Sequence, residues 1–306
     1  MKENTWAYIG GKQVKLVDAK VGIMTHALHY GTAVFEGIRG NWNNDHNKMY
    51  VFRLREHYER LIRGCSILRI DLPYSVEEYC QITIDLLKKN NFQEDVYIRP
   101  LAFKGAEMVA NLKLHELEDE FALIILPFGS YIDNEKPIRC QTSSWRRPED
   151  AIMPTGVKIT GLYTTSILAK TEAVMAGYDE AILLNNDGTV SEGSGENLFM
   201  IRDGIIYTPT ETDNCLLGIT RDSVIELAKK YFDKNVVQRR IHRSELYLAD
   251  EIFLTGTAAH VTSVGELDNR KISEGKIGEF TKNLQKKYFD TVTGENSDYL
   301  NWCTRI

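Results

Sequence analysis

The sequence predicts an α+β fold of two unequal domains rather than a doubly wound parallel sheet. Three observations point there. Hairpin signals stand at Gly10-Gly11, at "NNDG" (185–188) and at "RDG" (202–204), and such turns join antiparallel strands. Helical periodicity appears in a few separated stretches rather than alternating regularly with strands. The segment "GSYIDNEKP" (129–137) sets a glycine, several turn formers and a proline between two strand-like runs. It reads as a linker between a domain at 1–128 and a second at 138–306.

Taken in order, "TWAYI" and "KQVKLV" form the first hairpin, with Gly10 and Gly11 supplying the positive φ that a tight turn demands. "TAVFEGIRG" and "MYVFRL" are further strands, separated by the polar loop "NWNNDHNK". "REHYERLIRGCSILRI" places Leu61, Ile62, Cys65 and Leu68 at helical spacing. The next helix, "VEEYCQITIDLLKKN", opens at Ser75 with Glu78 three residues on, a capping box. Two apolar strands follow, "DVYIRPLAFK" and "EFALIILPF". Beyond the linker come "IRCQTSSW", a helix from about Thr164 to Ala176 stopped by Gly177, and a turn and helix in "LLGITRDSVIELAKKYF". "DEIFLTGTAAHV" is a strand ending in a turn of small residues.

With 306 residues, about 75% of the unfolded chain's surface can be buried, enough for a core and a deep cleft. A net charge of -6 with mixed signs leaves no basic footprint for nucleic acid. The doublets Arg146-Arg147 and Arg239-Arg240 read as solvated surface. Five cysteines without metal-like spacing fit free thiols in a reducing compartment. The N-terminus has no apolar run suited to a signal peptide, and "FALIILPF" is too short to span a bilayer. The expectation is a soluble, cytoplasmic protein that binds neither nucleic acid nor membrane.

"LLGITRDS" places Gly218 before a helix starting at Ile219 and Thr220. Its N–H groups and the threonine hydroxyl could cradle a phosphate, although the pattern is also an ordinary N-cap. "TGTAA" (255–259) exposes backbone N–H groups at a strand end, or is a plain turn. "SEGSGENLF" (191–199) sets Glu192 and Glu196 among small residues, and matches neither a nucleophile elbow nor a dinucleotide loop. His26 and His29 are spaced i, i+3, but no HExxH occurs and no metal site is expected. Arg60 and Arg99 lie on apolar-patterned elements, where an arginine answers either an internal carboxylate or a ligand's carboxylate or phosphate. Lys158, in "IMPTGVKITGLY", is framed by Val157, Ile159, Gly156 and Gly161, an unusual setting for a long charged side chain.

The order of "HALHYGTAVFEGIRG", "REHYERL", "YIRPLAF", "MPTGVKITGLY", "SEGSGENLF", "LGITRD", "ELYLADEIFLTGTAA" and "FDTVTGE" resembles the fold-type IV, pyridoxal-phosphate-dependent aminotransferases. Within that group it is similar to the branched-chain amino acid aminotransferases, from about residue 6 to 296. The resemblance implies a small N-terminal α/β domain, a larger C-terminal domain, and a homodimer or larger assembly whose active sites are completed by the partner subunit. It implies pyridoxal 5'-phosphate as cofactor, with Lys158 as the Schiff-base lysine and catalytic residue. Glu192 matches the partner of the pyridine nitrogen, Arg60 the phosphate arginine and Tyr163 the partner of the phenolic oxygen. Ile219, Thr220 and Thr257 match the phosphate cradle. Tyr97 and the Thr257–Ala258 turn match the holders of the substrate carboxylate. Tyr30, Arg99 and Tyr131 match groups that admit an acidic side chain, and Phe35 an apolar wall. The implied reaction is ping-pong transamination of leucine, isoleucine and valine with 2-oxoglutarate. A same-fold enzyme of D-amino acids, (R)-amines or aminodeoxychorismate is the alternative, and a non-catalytic binding protein the second. Departures from the family pattern are Ile159, Thr160 and Leu162 beside the lysine, Leu217 in place of a proline, and His260 in place of a glutamate.

Overall fold

The computed structural model describes residues 4–129 and 135–306. The chain divides into two compact units, Met1–Gly129 with Val157–Gly161 and Thr291–Ile306, and Ser130–Gly156 with Leu162–Asp290. The five residues around Lys158 therefore join the first unit, while the chain on either side belongs to the second. The linker expected at 129–137 and Tyr131 fall largely or wholly at 130–134, outside the described residues.

In the first unit, strands β1 (Trp6–Ile9), β2 (Lys12–Lys15), β3 (Ala33–Phe35), β4 (Ile38–Asn43), β5 (Lys48–Phe52), β6 (Val96–Lys104) and β7 (Asp119–Pro127) form one sheet with the C-terminal strand Cys303–Arg305. The order is C-terminal strand, β5, β4, β6, β7, β1, β2, with β3 also on β6, and every pairing is antiparallel. Gly10 and Gly11 adopt φ of +59° and +74° at the first hairpin. The short helix α1 (His26–Tyr30) precedes β3, and α2 (Leu54–Cys65) and α3 (Val76–Asn90) follow β5. The Ser75–Glu78 capping box is formed. Helix α2 buries Leu54, His57, Tyr58, Leu61, Gly64 and Cys65, a stripe at i, i+3, i+4 and i+7. Burying a side chain such as Leu61 contributes about 1.5–3 kcal/mol. Tyr58 stacks on Tyr79 of α3 at 5.5 Å, and Tyr79 meets Phe121 of β7 at 4.6 Å.

Two sequence expectations shift here. "TAVFEGIRG" is two strands, not one, interrupted at Glu36 and Gly37. A Cβ on Gly37 would stand 2.4 Å from the Tyr97 hydroxyl, so the break makes room for that side chain. The loop expected at 41–48 shortens, because β4 runs on to Asn43. Asn43 is buried and donates to the Thr293 carbonyl at 2.9 Å and to Glu295 at 2.6 Å, which satisfies the amide within the fold.

The second unit holds strands β8 (Ile138–Arg146), β9 (Glu180–Leu184), β10 (Val190–Gly193), β11 (Asn197–Arg202), β12 (Ile205–Thr208), β13 (Val236–Gln238), β14 (Glu251–Gly256), β15 (His260–Leu267) and β16 (Arg270–Lys271). The order is β10, β9, β8, β15, β14, β11, β12, β13, with β16 on β15. Pairings of β8 with β9, β8 with β15, and β12 with β13 are parallel, and the others antiparallel. Helices α4 (Tyr163–Met175), α5 (Ile219–Phe232), α6 (Arg243–Leu246) and α7 (Glu279–Val292) complete the set. Helix α4 offers Ala169 and Ala173 to Ala181 and Leu183 of β9, small residues that let helix and sheet approach closely. Gly177, at φ +86°, follows its end as expected. Phe199 and Phe253 stack at 4.9 Å across β11 and β14. Among the described residues, no helix is long and apolar enough to cross a membrane.

Candidate active site

Lys158 is half-buried and its backbone is held on both sides. The Phe35 N–H donates to the Lys158 carbonyl at 3.1 Å, and Ile159 bridges to Val34 of β3. The Thr160 hydroxyl donates to the Gly31 carbonyl at 2.7 Å, and the Gly161 N–H to the same oxygen at 3.3 Å. Two glycines permit this approach. Gly31 has φ +65°, and a Cβ there would lie 2.8 Å from the Gly161 Cα; a Cβ on Gly64 of α2 would meet Val157 at 2.8 Å. Ile159 and Thr160, departures from the family pattern, are thus the residues that clamp the lysine's backbone. The Lys158 amine lies 5.6 Å from the centre of the Phe35 ring.

Phe35 joins Lys158 to a second cation. The Arg99 guanidinium lies 4.4 Å from the Phe35 ring centre and donates from Nη2 to the Tyr97 hydroxyl at 2.7 Å. Tyr97 and Arg99 alternate with the buried Val96, Ile98 and Pro100 on β6, so both project from the face opposite to the core-facing one. Arg99 has no carboxylate partner among the described residues, and its buried Nε makes no hydrogen bond. Tyr30 is placed differently: its hydroxyl accepts from the Ala110 N–H at 3.0 Å, and its ring lies 4.5 Å from that of His26. His26 bonds Thr32 and the Asn111 carbonyl, which makes it a structural residue of that loop.

Arg60 projects from α2 onto Glu36, donating Nε to Oε1 at 2.7 Å and Nη2 to Oε2 at 2.8 Å. His57, one turn earlier, donates from Nδ1 to Glu36 Oε2 at 2.7 Å. Burial alone would raise the Glu36 carboxyl, but the charge of Arg60 and the contact with His57 override it and hold the group far below the ordinary carboxylate range. Burial lowers His57 against the raising charge of Glu36, with Arg60 and Lys158 as further positive neighbours. Glu36 has no assignment from sequence, although an acidic residue inside the apolar run "AVFEGI" is itself a sign of a buried cation partner.

In the second unit, Glu192 is buried on β10. Arg147 meets its Oε1 at 2.8 Å, and the Asn197 side chain and the Leu216 N–H donate to Oε2 at 3.1 and 3.0 Å. Three N–H donors converge on a group that accepts from all of them when ionised. Arg147 is 4% exposed, which corrects the reading of Arg146-Arg147 as solvated: the end of β8 leaves Arg146 outside and turns Arg147 inward, where a buried carboxylate needs a cation. Asn197 also donates to the Leu216 carbonyl at 2.6 Å, and a Cβ on Gly218 would stand 2.2 Å from Asn197 Oδ1. Gly218 is therefore required for the approach of the 216–218 turn to β11. It caps α5 with no side-chain cap bond, and Ile219 and Thr220 are buried at the helix start. Thr257 and Ala258 form the turn between β14 and β15, beside Gly256, where a Cβ would meet Glu196 at 3.3 Å. Glu196 is buried, and burial followed by the charge of Glu180 pushes its carboxyl up to about 8. Tyr163 is the half-buried first residue of α4. Of the other departures, Leu162 is buried, Leu217 is exposed, and His260 packs at 4.9 Å on Phe289.

The structure thus gathers Phe35, Tyr97, Arg99 and Lys158 in one unit, with Arg60 on Glu36 and His57. It gathers Glu192 with the approach to α5 in the other unit. The family model for amino-transferase class IV matches residues 33–267, and the chain belongs to that family.

Relatives narrow the comparison. A probable branched-chain-amino-acid aminotransferase of Aquifex aeolicus is 50% identical over 302 residues, covering 98% of this chain and 96% of that one. The branched-chain-amino-acid aminotransferase of Escherichia coli K12 is 39% identical, covering 100% and 98%. Among solved structures, the branched-chain aminotransferase of Thermoproteus uzoniensis with norvaline superposes with a TM-score of 0.94 at 40% identity, covering 98% and 99%. The T.th. branched-chain amino acid aminotransferase complexed with N-(5'-phosphopyridoxyl)-L-glutamate gives 0.93 at 40% identity, covering 99% and 98%. The α+β, fold-type IV architecture expected from sequence is borne out.

Proposed function

We propose that the chain transfers amino groups between the branched-chain L-amino acids leucine, isoleucine and valine and 2-oxoglutarate, with pyridoxal 5'-phosphate as cofactor. The observation that carries this reading is Phe35 beside both Lys158 and Arg99. An aromatic wall suits an aliphatic side chain, and a guanidinium without a carboxylate partner among the described residues suits the second carboxylate of 2-oxoglutarate. One reacting lysine flanked by both features serves the two alternating substrates of such an exchange. The full-length relatives named as branched-chain aminotransferases support the same substrates.

The chemistry of side chains in each unit suits part of the cofactor. Lys158 would hold its carbonyl carbon, the Glu192 carboxylate its ring nitrogen and Tyr163 its phenolic oxygen. Arg60, the α5 start at Ile219 and Thr220, and Thr257 would hold its phosphate. When bound, the cofactor supplies a ring that accepts electrons from the substrate α-carbon. The Lys158 amine would act as the base that takes the α-proton and delivers it to the cofactor's carbonyl carbon, a role typically worth about 10²–10⁴-fold in rate. Glu192 is held at both oxygens, and would offer a fixed negative charge to the ring nitrogen. Tyr97 and the Thr257–Ala258 turn would take the substrate α-carboxylate.

A homodimer is part of the proposal. Ile23, Leu28 and Leu112 are 80%, 64% and 77% exposed, near α1 and the loop to which His26 and Tyr30 are bonded, and apolar surface of this kind supports a partner subunit. Light scattering on the eluting protein tests it: twice the chain mass is expected, and a monomer at working concentration refutes it. The five free cysteines support a cytoplasmic setting. For the activity, protein mixed with pyridoxal 5'-phosphate should develop a visible absorbance band that shifts on borohydride reduction and is absent in Lys158→Ala. A colourless wild-type protein would overturn the reading.

A further inference from the structure

Glu36 has no part in the reaction described above, yet it is 1% exposed and lies against the residue that would hold the phosphate. It sits in the break between β3 and β4, where its N–H donates to the Pro100 carbonyl at 3.0 Å. Both of its oxygens are engaged by α2: Arg60 grips them as a fork at 2.7 and 2.8 Å, and His57 adds a third bond at 2.7 Å. His57 and Arg60 are three residues apart and so share a helix face. His57 is 2% exposed and Arg60 15%, so Arg60 is the most exposed side chain of the three.

We propose that Glu36, supported by His57, is the positioning residue for Arg60 as a ligand of the cofactor's phosphate monoester. The inference rests on the phosphate reading of Arg60. A buried ion pair is weak as a source of stability, because desolvation consumes most of the attraction. Its geometric effect is strong. A carboxylate along the Nε–Nη2 edge fixes the guanidinium plane and removes rotamer freedom that an incoming phosphate would otherwise have to freeze out. The opposing effect is electrostatic, since the charge of Glu36 partly cancels that of Arg60 toward a phosphate. The two effects differ in sign when the Glu36 charge is removed, and that difference makes the roles separable.

The experiment strips the full-length protein of cofactor and titrates pyridoxal 5'-phosphate and, separately, pyridoxal, followed by quenching of tryptophan fluorescence. The ratio of the pyridoxal constant to the pyridoxal 5'-phosphate constant reports what the phosphate contributes, without any turnover. In Glu36→Gln the ratio is expected to fall about tenfold to a hundredfold, the loss associated with charge-assisted bonds, with the pyridoxal constant moving less than about threefold. Arg60→Gln should lower the ratio at least as far, and the double variant no further than Arg60→Gln alone, because the two residues act through one contact. The double variant leaves no unpaired ion and should fold even where Glu36→Gln does not; His57→Gln, which spares the fork, then takes its place with an expected fall of about threefold. A ratio that is unchanged or raised in Glu36→Gln, or in its stand-in His57→Gln, overturns the proposal, as does an additive loss in the double variant. If Arg60→Gln itself leaves the ratio unchanged, the phosphate reading of Arg60 fails, and the proposal with it.

Discussion

Replacing Arg147 with methionine removes the guanidinium that faces Glu192 and leaves a buried carboxylate on the neutral donors of Asn197 and Leu216. Both side chains are nearly sealed, at 5% and 8% exposure, with 2.8 Å between Nη2 and Oε1. At an effective dielectric of about 20, the attraction over that distance is roughly 6 kcal/mol. Desolvation of the arginine offsets part of it, so the expected net loss is about 3–5 kcal/mol, the range for breaking a buried pair from one side. That corresponds to a fall in Tm of about 6–20 °C for a unit of this size. The arginine also donates from Nε to the Asn214 carbonyl at 3.0 Å, which the methionine leaves to water or to rearrangement. Calorimetry and urea unfolding read the loss. The companion Arg147→Met/Glu192→Gln keeps an oxygen acceptor for Leu216 and Asn197 but removes the stranded charge. It should recover most of the stability while transaminase activity stays low, since the anion that would face the ring nitrogen is gone. An Arg147→Met protein as stable as the parent, or a double variant no more stable than the single one, would refute the reasoning.

Arg99→Met should raise KM for 2-oxoglutarate about tenfold to a hundredfold while changing KM for leucine little; steady-state kinetics with each substrate varied decides, and equal effects on both would remove Arg99 from side-chain recognition. Gly31→Ala forces a Cβ at φ +65° against the Gly161 Cα, and should cost about 1–3 kcal/mol in urea unfolding and lower activity by displacing the lysine's segment. A silent substitution there would contradict the clamp. The Glu196 carboxyl, raised from 4.5 to about 8, contributes stability that is fully present below about pH 4.5 and is lost as pH rises through about 8. Measured as urea midpoints across that window, the stability of Glu196→Gln relative to the parent should improve with pH and level off above pH 8. A difference that does not vary with pH would show that Glu196 ionises normally.

The elements that could be read from sequence carry their own local chemistry. The hairpin at Gly10-Gly11 needs positive φ at both turn residues, and the capping box at Ser75 and Glu78 closes within one turn. The Gly218 helix start has a similar local signature. What escaped depends on contacts distant in the chain. Nothing beside Arg147 distinguishes it from Arg146, since its partner Glu192 lies in another strand; only the question of which cation balances a buried glutamate would have found it. Glu36 is visible as an acid in an apolar run, but its fork with Arg60 spans β3, β4, β5 and α2. The C-terminal strand pairs Cys303–Arg305 with β5, some 250 residues earlier, a partnership with no local signal. The lysine clamp is legible only in part: glycines flank Lys158 in sequence, whereas Gly31 and Gly64 enter through the fold.

The most direct test of the central claim is glutamate formation from 2-oxoglutarate with L-leucine, L-isoleucine or L-valine as donor, set against D-alanine and (R)-phenylethylamine, for the wild-type protein and Lys158→Ala. The expected result is turnover with the three branched-chain donors, little with the other two, and a loss of at least about 100-fold in Lys158→Ala. Preference for D-alanine or the (R)-amine, or branched-chain turnover that survives the loss of Lys158, would contradict it.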